Sequence, residues 1–358
     1  MTQRQYHRFD LNTASPDAPQ SRVLIIYTGG TFGMGQDESG SLVPFDFNTL
    51  LEKTPSLRSF SIQVTIIAFA EPIDSSDISI EHWSQLTEII ASHYSDFDGF
   101  VILNVTDTMA YTDSELSFAL QNLNKPVILT GSQLHITSAR SDARENLITA
   151  LEIASSTNEH GAALVPEVTI NFNNMLLRGN RAQKVQSSKF DAFQSGNYPP
   201  LAQSGIEIDY NLAKVWSGWP SKELKTSLEW DNRVAVIKLF PGISEVAVRA
   251  TLNNPEIKGV VLETFGSGNV MTDTWLTEAL REAISNELVV MNVSQCIGGE
   301  VIQGRYKASQ QLKKIGVISG KDITTEAALT KMMHVLALNL SYQSTIDLML
   351  MPISGEMS

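Results

Sequence analysis

Four times in the first half of the chain, a short, largely β-branched apolar run stops abruptly in a polar loop. VLIIY ends at Tyr27 in TGGTFGMG, FVILN (Phe100 to Asn104) runs into VTDT, PVILT (Pro126 to Thr130) into GSQ, and EVTINF (Glu167 to Phe172) into a polar segment. Uninterrupted apolar runs bounded by turn residues are what strands buried on both faces look like, and parallel sheets demand such strands. Between the runs lies helical spacing. Leu116, Ala119, Leu120 and Leu123 form one stripe, with Thr112 and Glu115 expected as a capping box at its start, and a second helix is expected over Asn146 to Ala154. Strand, loop and helix in alternation predict an α/β fold around a parallel sheet, whose ligands bind at the carboxyl ends of the strands.

A chain of 358 residues has room for two domains. The first 22 residues are polar and read as an N-terminal extension, followed by an α/β domain over 23–210. Periodicity fails through NLAKVWSGWPSKELKTSLEWDN, so residues 211–232 are expected to connect the domains. In 233–358 the alternation resumes as a smaller α/β domain, with strands at Val234 to Leu239, Val260 to Glu263 and Leu288 to Asn292. Its helices are expected at Ser244 to Leu252, Thr274 to Ser285 and Thr325 to Leu340.

Composition narrows the function. Lys and Arg total 26 against 39 Asp and Glu, and the net charge of −13 disfavours a nucleic-acid backbone or an anionic membrane as partner. The single cysteine, Cys296, excludes an intrachain disulfide and a cysteine zinc site, as in a reducing compartment. The six histidines show no ligand spacing, so no metal is expected. Without a signal-peptide core or a long apolar run, the expectation is a cytoplasmic protein acting on a small molecule.

The candidate chemistry sits in the loops. In TGGT, Gly29 and Gly30 permit close backbone approach to a ligand and Thr31 brings a hydroxyl just past a strand end; a threonine that merely caps a helix would read the same. The third glycine of a dinucleotide fingerprint and the GxxxxGK[ST] loop are both missing, so no nucleotide cofactor is expected. VTDT adds Thr106 beside Asp107, and RGNRAQK supplies Lys184. A threonine nucleophile needs a base and the base needs an orienting group, roles open to Asp107 and a lysine; a turn cap and a solvated charge are the plainer alternative. In IDSSD, Asp74, Ser75 and Ser76 could receive the α-groups of an amino acid or simply form a turn.

Taken together, YTGGTFGM, EPIDSSD, TDTMAYT, SFALQNLNKPVILTGSQ, RSDARENL, RGNRAQK, FDAF, FPGIS and GSGN resemble, in order, the motifs of bacterial cytoplasmic type I L-asparaginases. The resemblance implies the two-domain asparaginase-like fold and a homotetramer built as a dimer of dimers. It also implies hydrolysis of L-asparagine to L-aspartate and ammonia, without a cofactor. By the same resemblance Thr31 is the nucleophile, Thr106, Asp107 and Lys184 support it, and Asp74, Ser75 and Ser76 hold the substrate. Asn269 in GSGN would reach a neighbouring subunit's site.

Three departures qualify it. The usual HGTDT reads NVTDT, placing Asn104 and a β-branched Val105 where the family has histidine and glycine. Valine forbids left-handed backbone angles and adds bulk beside a catalytic threonine. The tyrosine many members carry after the TGGT loop is absent near Ser41. Cys296 fits the pattern of a second, regulatory asparagine site but Gln183 and Glu263 do not. Three readings follow: an asparaginase, an amino-acid binder impaired by Asn104 and Val105, and a glutaminase or tRNA-linked amidase, the last disfavoured by the acidic charge and the absence of an extra N-terminal domain.

Overall fold

The computed structural model describes residues 6–13, 18–30, 32, 34–36, 42–44, 54–216, 223–304 and 307–358; Thr31 and Ser41 lie outside the described residues. The chain divides into two compact units, one of residues 1–194 with 199–226, the other of 195–198 with 227–358. The division falls inside the segment expected to connect the domains, and its Lys225–Thr226 pair still hydrogen-bonds Leu120–Gln121 in the first unit.

The first unit is built on a nine-stranded sheet. Its strands are β1 (Tyr6–Asn12), β2 (Ser21–Tyr27), β3 (Ile62–Phe69), β4 (Gly99–Leu103), β5 (Val127–Thr130), β6 (Val168–Phe172), β7 (Met175–Arg178), β8 (Ala202–Ser204) and β9 (Ile208–Tyr210). Their spatial order is β1-β3-β2-β4-β5-β6-β7-β8-β9. The centre, β3 through β6, is parallel as the continuous apolar runs predict. Both flanks are antiparallel. On one side Asn173 and Asn174 take positive φ (47° and 65°) between β6 and β7, the two-residue hairpin turn that asparagine tolerates. On the other, Tyr6–Asn12 of the polar N-terminal stretch forms the edge strand against β3, a position where an alternating, half-exposed strand is stable.

Helices α1 (Ile80–His93), α2 (Met109–Ala119) and α3 (Ala143–Ser155) cover the sheet. Alternate residues of the central strands, Leu24, Ile26, Phe100, Ile102, Val127 and Leu129, join Leu86, Ile90, Met109 and Leu116 of α1 and α2 in one core. The expected capping box at Thr112 and Glu115 is not formed. The helix begins a turn earlier, with Thr108 at its N-cap, and Thr112 lies inside it, accepting from Trp83 Nε1 (3.1 Å) and donating to the Thr108 carbonyl (3.3 Å). Glu115 is wholly buried instead.

In the second unit, strands β10 (Val234–Lys238), β11 (Gly259–Thr264), β12 (Val289–Ser294) and β13 (Ile318–Ser319) form a parallel sheet in chain order. Val260, Leu262 and Val290 feed one core with α4 (Glu245–Leu252) and α5 (Thr274–Ser285). Val261, Met291 and Val293 feed the opposite core with α6 (Thr325–Ala337) and α7 (Tyr342–Leu350). The expected helix to Leu340 stops at Ala337, and Asn339 follows at a φ of 50°. Among the described residues no helix is long and apolar enough to cross a membrane.

Buried charges anchor the first unit. Arg178 Nε donates to Glu167 at 2.6 Å and its Nη2 to the Lys214 carbonyl at 2.8 Å, with both charged side chains almost fully covered. Glu167 also accepts from the Trp216 backbone. Replacing Arg178 by Met strands a buried carboxylate and should cost about 3–5 kcal/mol, read as a lowered urea midpoint. Asp113 and Glu115 are the converse case: both are fully buried, and their carboxylate oxygens have no hydrogen-bond partner among the described residues. Burial pushes both carboxyl groups well above the usual range, so the folded state holds them neutral. A raised folded pKa gives stability that is full below the unfolded value and is lost as pH rises through the folded one. Urea midpoints should therefore fall as pH rises above the ordinary carboxylate range, and the slope should flatten in an Asp113→Asn, Glu115→Gln variant.

Candidate active site

The parallel register sets Tyr27 of β2 beside Leu103 of β4, so Thr28 and Asn104 leave the sheet side by side at its carboxyl edge. Thr28 N–H donates to the Leu103 carbonyl (3.1 Å), and the Thr28 carbonyl accepts from Ile73 N–H (2.8 Å). Two glycines must follow. Gly29 sits at a φ of 143° and a Cβ there would overlap the Ile73 backbone; Gly30 sits at 88° and a Cβ would lie 2.9 Å from Val105 Cγ1. Thr31 follows Gly30 in the chain but lies outside the described residues.

The adjacent loop carries the other candidates. Lys184 stands on a two-residue strand paired with Phe193–Gln194. Its Nζ donates to Thr106 Oγ1 at 2.7 Å and to Asp107 Oδ1 at 2.5 Å. The lysine side chain is 13% exposed while Asp107 is 71% exposed, so the carboxylate opens to solvent from a largely covered ammonium. Such an arrangement lets a hydroxyl, an amine and a carboxylate exchange protons along one line of hydrogen bonds.

IDSSD forms a single turn of 3-10 helix with Asp74 at its N-cap. Asp74 Oδ1 accepts from Ser76 N–H (3.0 Å) and from Ser76 Oγ (2.7 Å). The Ser76 hydroxyl and then its N–H hold the Asp74 carboxyl below its ordinary value. Ser75 bonds to the VTDT loop: Thr108 N–H donates to Ser75 Oγ (3.2 Å) and Thr108 Oγ1 to the Ser75 carbonyl (3.1 Å). The structure thus brings Thr106, Asp107 and Lys184 into direct contact and ties Ser75 to the same loop, while Asp74 and Ser76 bond to each other. Asn269 belongs to the second unit, in a tight turn after β11 where its N–H and carbonyl pair with Phe265.

Thr28 and Thr108 are structurally as important as the residues singled out from the sequence. Their signal was position alone: each is the polar residue where an apolar run or its loop turns. Val105, suspect for its β-branch, is not among the described residues with positive φ. It is 4% exposed, packed against Gly30. Backbone N–H groups of Gly30 and Thr106 have no partner among the described residues, and both residues are partly exposed.

Known proteins agree with this frame. The family model described as "Asparaginase, N-terminal" matches residues 22–216, and "Glutaminase/Asparaginase C-terminal domain" matches 233–349. L-asparaginase 1 of Escherichia coli K12 is 39% identical over 339 residues, covering 94% of this chain and 98% of that protein. The human 60 kDa lysophospholipase is 40% identical over 366 residues, 95% of this chain but 62% of the longer human protein. The crystal structure of L-asparaginase I from Vibrio cholerae superposes with a TM-score of 0.84 at 38% identity, covering 94% of this chain and 99% of that one. With both halves matched and near-complete overlap with such relatives, the chain belongs to the asparaginase family.

Proposed function

We propose that this protein hydrolyses the side-chain amide of L-asparagine to L-aspartate and ammonia. One observation carries the reading: Lys184 Nζ within hydrogen-bond reach of both Thr106 Oγ1 and Asp107, beside the glycine turn that leads into Thr31. A hydroxyl nucleophile is weak without an adjacent base, and this cluster is the base. Thr31 Oγ attacks the amide carbon as its proton passes to Thr106, whose own proton goes to Lys184 as the lysine gives one up to the Asp107 carboxylate. The tetrahedral intermediate collapses with protonation of nitrogen, and ammonia leaves a β-aspartyl ester. Water, activated by the same groups, then cleaves the ester and returns the proton to Thr31. The N–H groups of Gly30 and Thr106, without a partner among the described residues, are the donors offered to the oxyanion. Asp74, Ser75, Ser76 and Asp107 receive the amino acid's α-groups, with Asn269 contributed from a neighbouring copy of a tetramer in the cytoplasm.

Val105 favours catalysis over mere binding. Its ordinary backbone angles remove the strain that glycine would have relieved, and its near-complete burial against Gly30 takes its side chain into loop packing rather than into an open cleft. Purified protein should release ammonia from L-asparagine, with kcat/KM about 10- to 200-fold above that for L-glutamine. Thr31→Ala should abolish release, and Lys184→Met should lower kcat about 100- to 10,000-fold. Activity that emerges only in Val105→Gly would establish the binder reading, a preference for glutamine the glutaminase reading, and hydrolysis of a lysophospholipid alone would overturn both.

A further inference from the structure

We infer that Asn104 is a positioning residue whose side chain, by its hydrogen bond to Thr28, holds the start of the glycine turn that carries the nucleophile. The inference rests on the proposed hydrolysis and adds to it a residue in which this chain departs from its family's motif.

Gly29 and Gly30 have no Cβ, and their φ values of 143° and 88° lie where only glycine moves freely, so the turn cannot define its own path. It has to be held from outside. Ile73 N–H holds the Thr28 carbonyl and Val105 bears on Gly30. Thr28 N–H is held by the Leu103 carbonyl, and its side chain by the 2.7 Å bond from Oγ1 to Asn104 Oδ1, between residues 0% and 2% exposed. Asn104 is itself anchored, since its N–H donates to the Thr130 carbonyl on β5 at 2.9 Å. Position is thereby passed from the sheet interior to the turn.

The bond survives either orientation of the amide. As placed, Thr28 donates to Oδ1 and Asn104 Nδ2 is buried without a partner among the described residues. Turned over, Nδ2 would donate to Thr28 Oγ1, whose proton would go to the Leu103 carbonyl 3.2 Å away. Both arrangements leave one amide atom unpaired. An apolar side chain would avoid that loss, and among the described residues the side chain's hydrogen bond is the one to Thr28.

The test is a cycle of Asn104→Leu, which keeps volume without polarity, Thr28→Val and the double variant, with Thr28→Ser as the conservative control. Each single variant should lose about 10- to 100-fold in kcat with KM within about threefold, because displacement of a reacting group is costly and binding groups are untouched. The double should be no worse than the poorer single, and Thr28→Ser should stay within about threefold of the parent. Unchanged kcat, or losses that multiply in the double, would overturn the inference. Should the parent release no ammonia, the hydrolysis falls by itself. The positioning role is then read from exchange of the Thr28 amide, which should quicken at least about tenfold in Asn104→Leu and not in Thr28→Ser; unchanged exchange would overturn it.

Discussion

The parallel pairing of β2 with β4, Tyr27 beside Leu103, decides where the TGGT and VTDT loops leave the sheet. Because strands in a parallel sheet all point the same way, their following loops collect at one edge, and a shift of one residue would turn each side chain to the opposite face. The pairing is held by residues with no exposure at all: Leu24, Ile25, Ile26, Phe100, Val101 and Ile102. Burial on this scale resists slippage, since a slipped register would exchange two packed faces at once. The loops can therefore be polar, glycine-rich and individually weak while their starting points stay fixed.

From that edge the site is assembled by short links between loops. Ile73 binds Thr28, Thr108 binds Ser75, and Lys184 binds Thr106 and Asp107. The lysine is mostly covered while its carboxylate partner is mostly open. A covered ammonium held by a hydroxyl and a carboxylate keeps its geometry, while the other side of the carboxylate stays open to solvent. The two fully buried acids of α2, Asp113 and Glu115, are a different matter: burial pushes their carboxyl groups well above the usual range, and Asp113 packs closely against Gly179.

Much of this was legible beforehand, and the reasons are local. Apolar runs such as VLIIY and FVILN announced parallel strands because both their faces must be covered, and the helix over Thr274–Ser285 was readable from its periodicity. Thr112 and Glu115 misled because a capping pattern is only a spacing: the same two residues inside a helix form no cap, and Thr108, held by Ser75, starts the helix a turn earlier. The edge strand Tyr6–Asn12 was hidden by polarity, which an edge strand can bear because one side of it faces solvent.

The order of elements, the two α/β units, the positions that must be glycine and the motifs that mark the family are all properties of the chain as written. They depend on neighbours a few residues away, and local periodicity and turn chemistry record those faithfully. The contacts of Lys184 with residues 78 and 77 positions earlier in the chain, the 76-residue reach from Thr28 to Asn104 and the packing of Val105 against Gly30 were settled only by folding. They join segments that share no local pattern, and only the stacking of strands in one register brings such segments within three ångströms of each other.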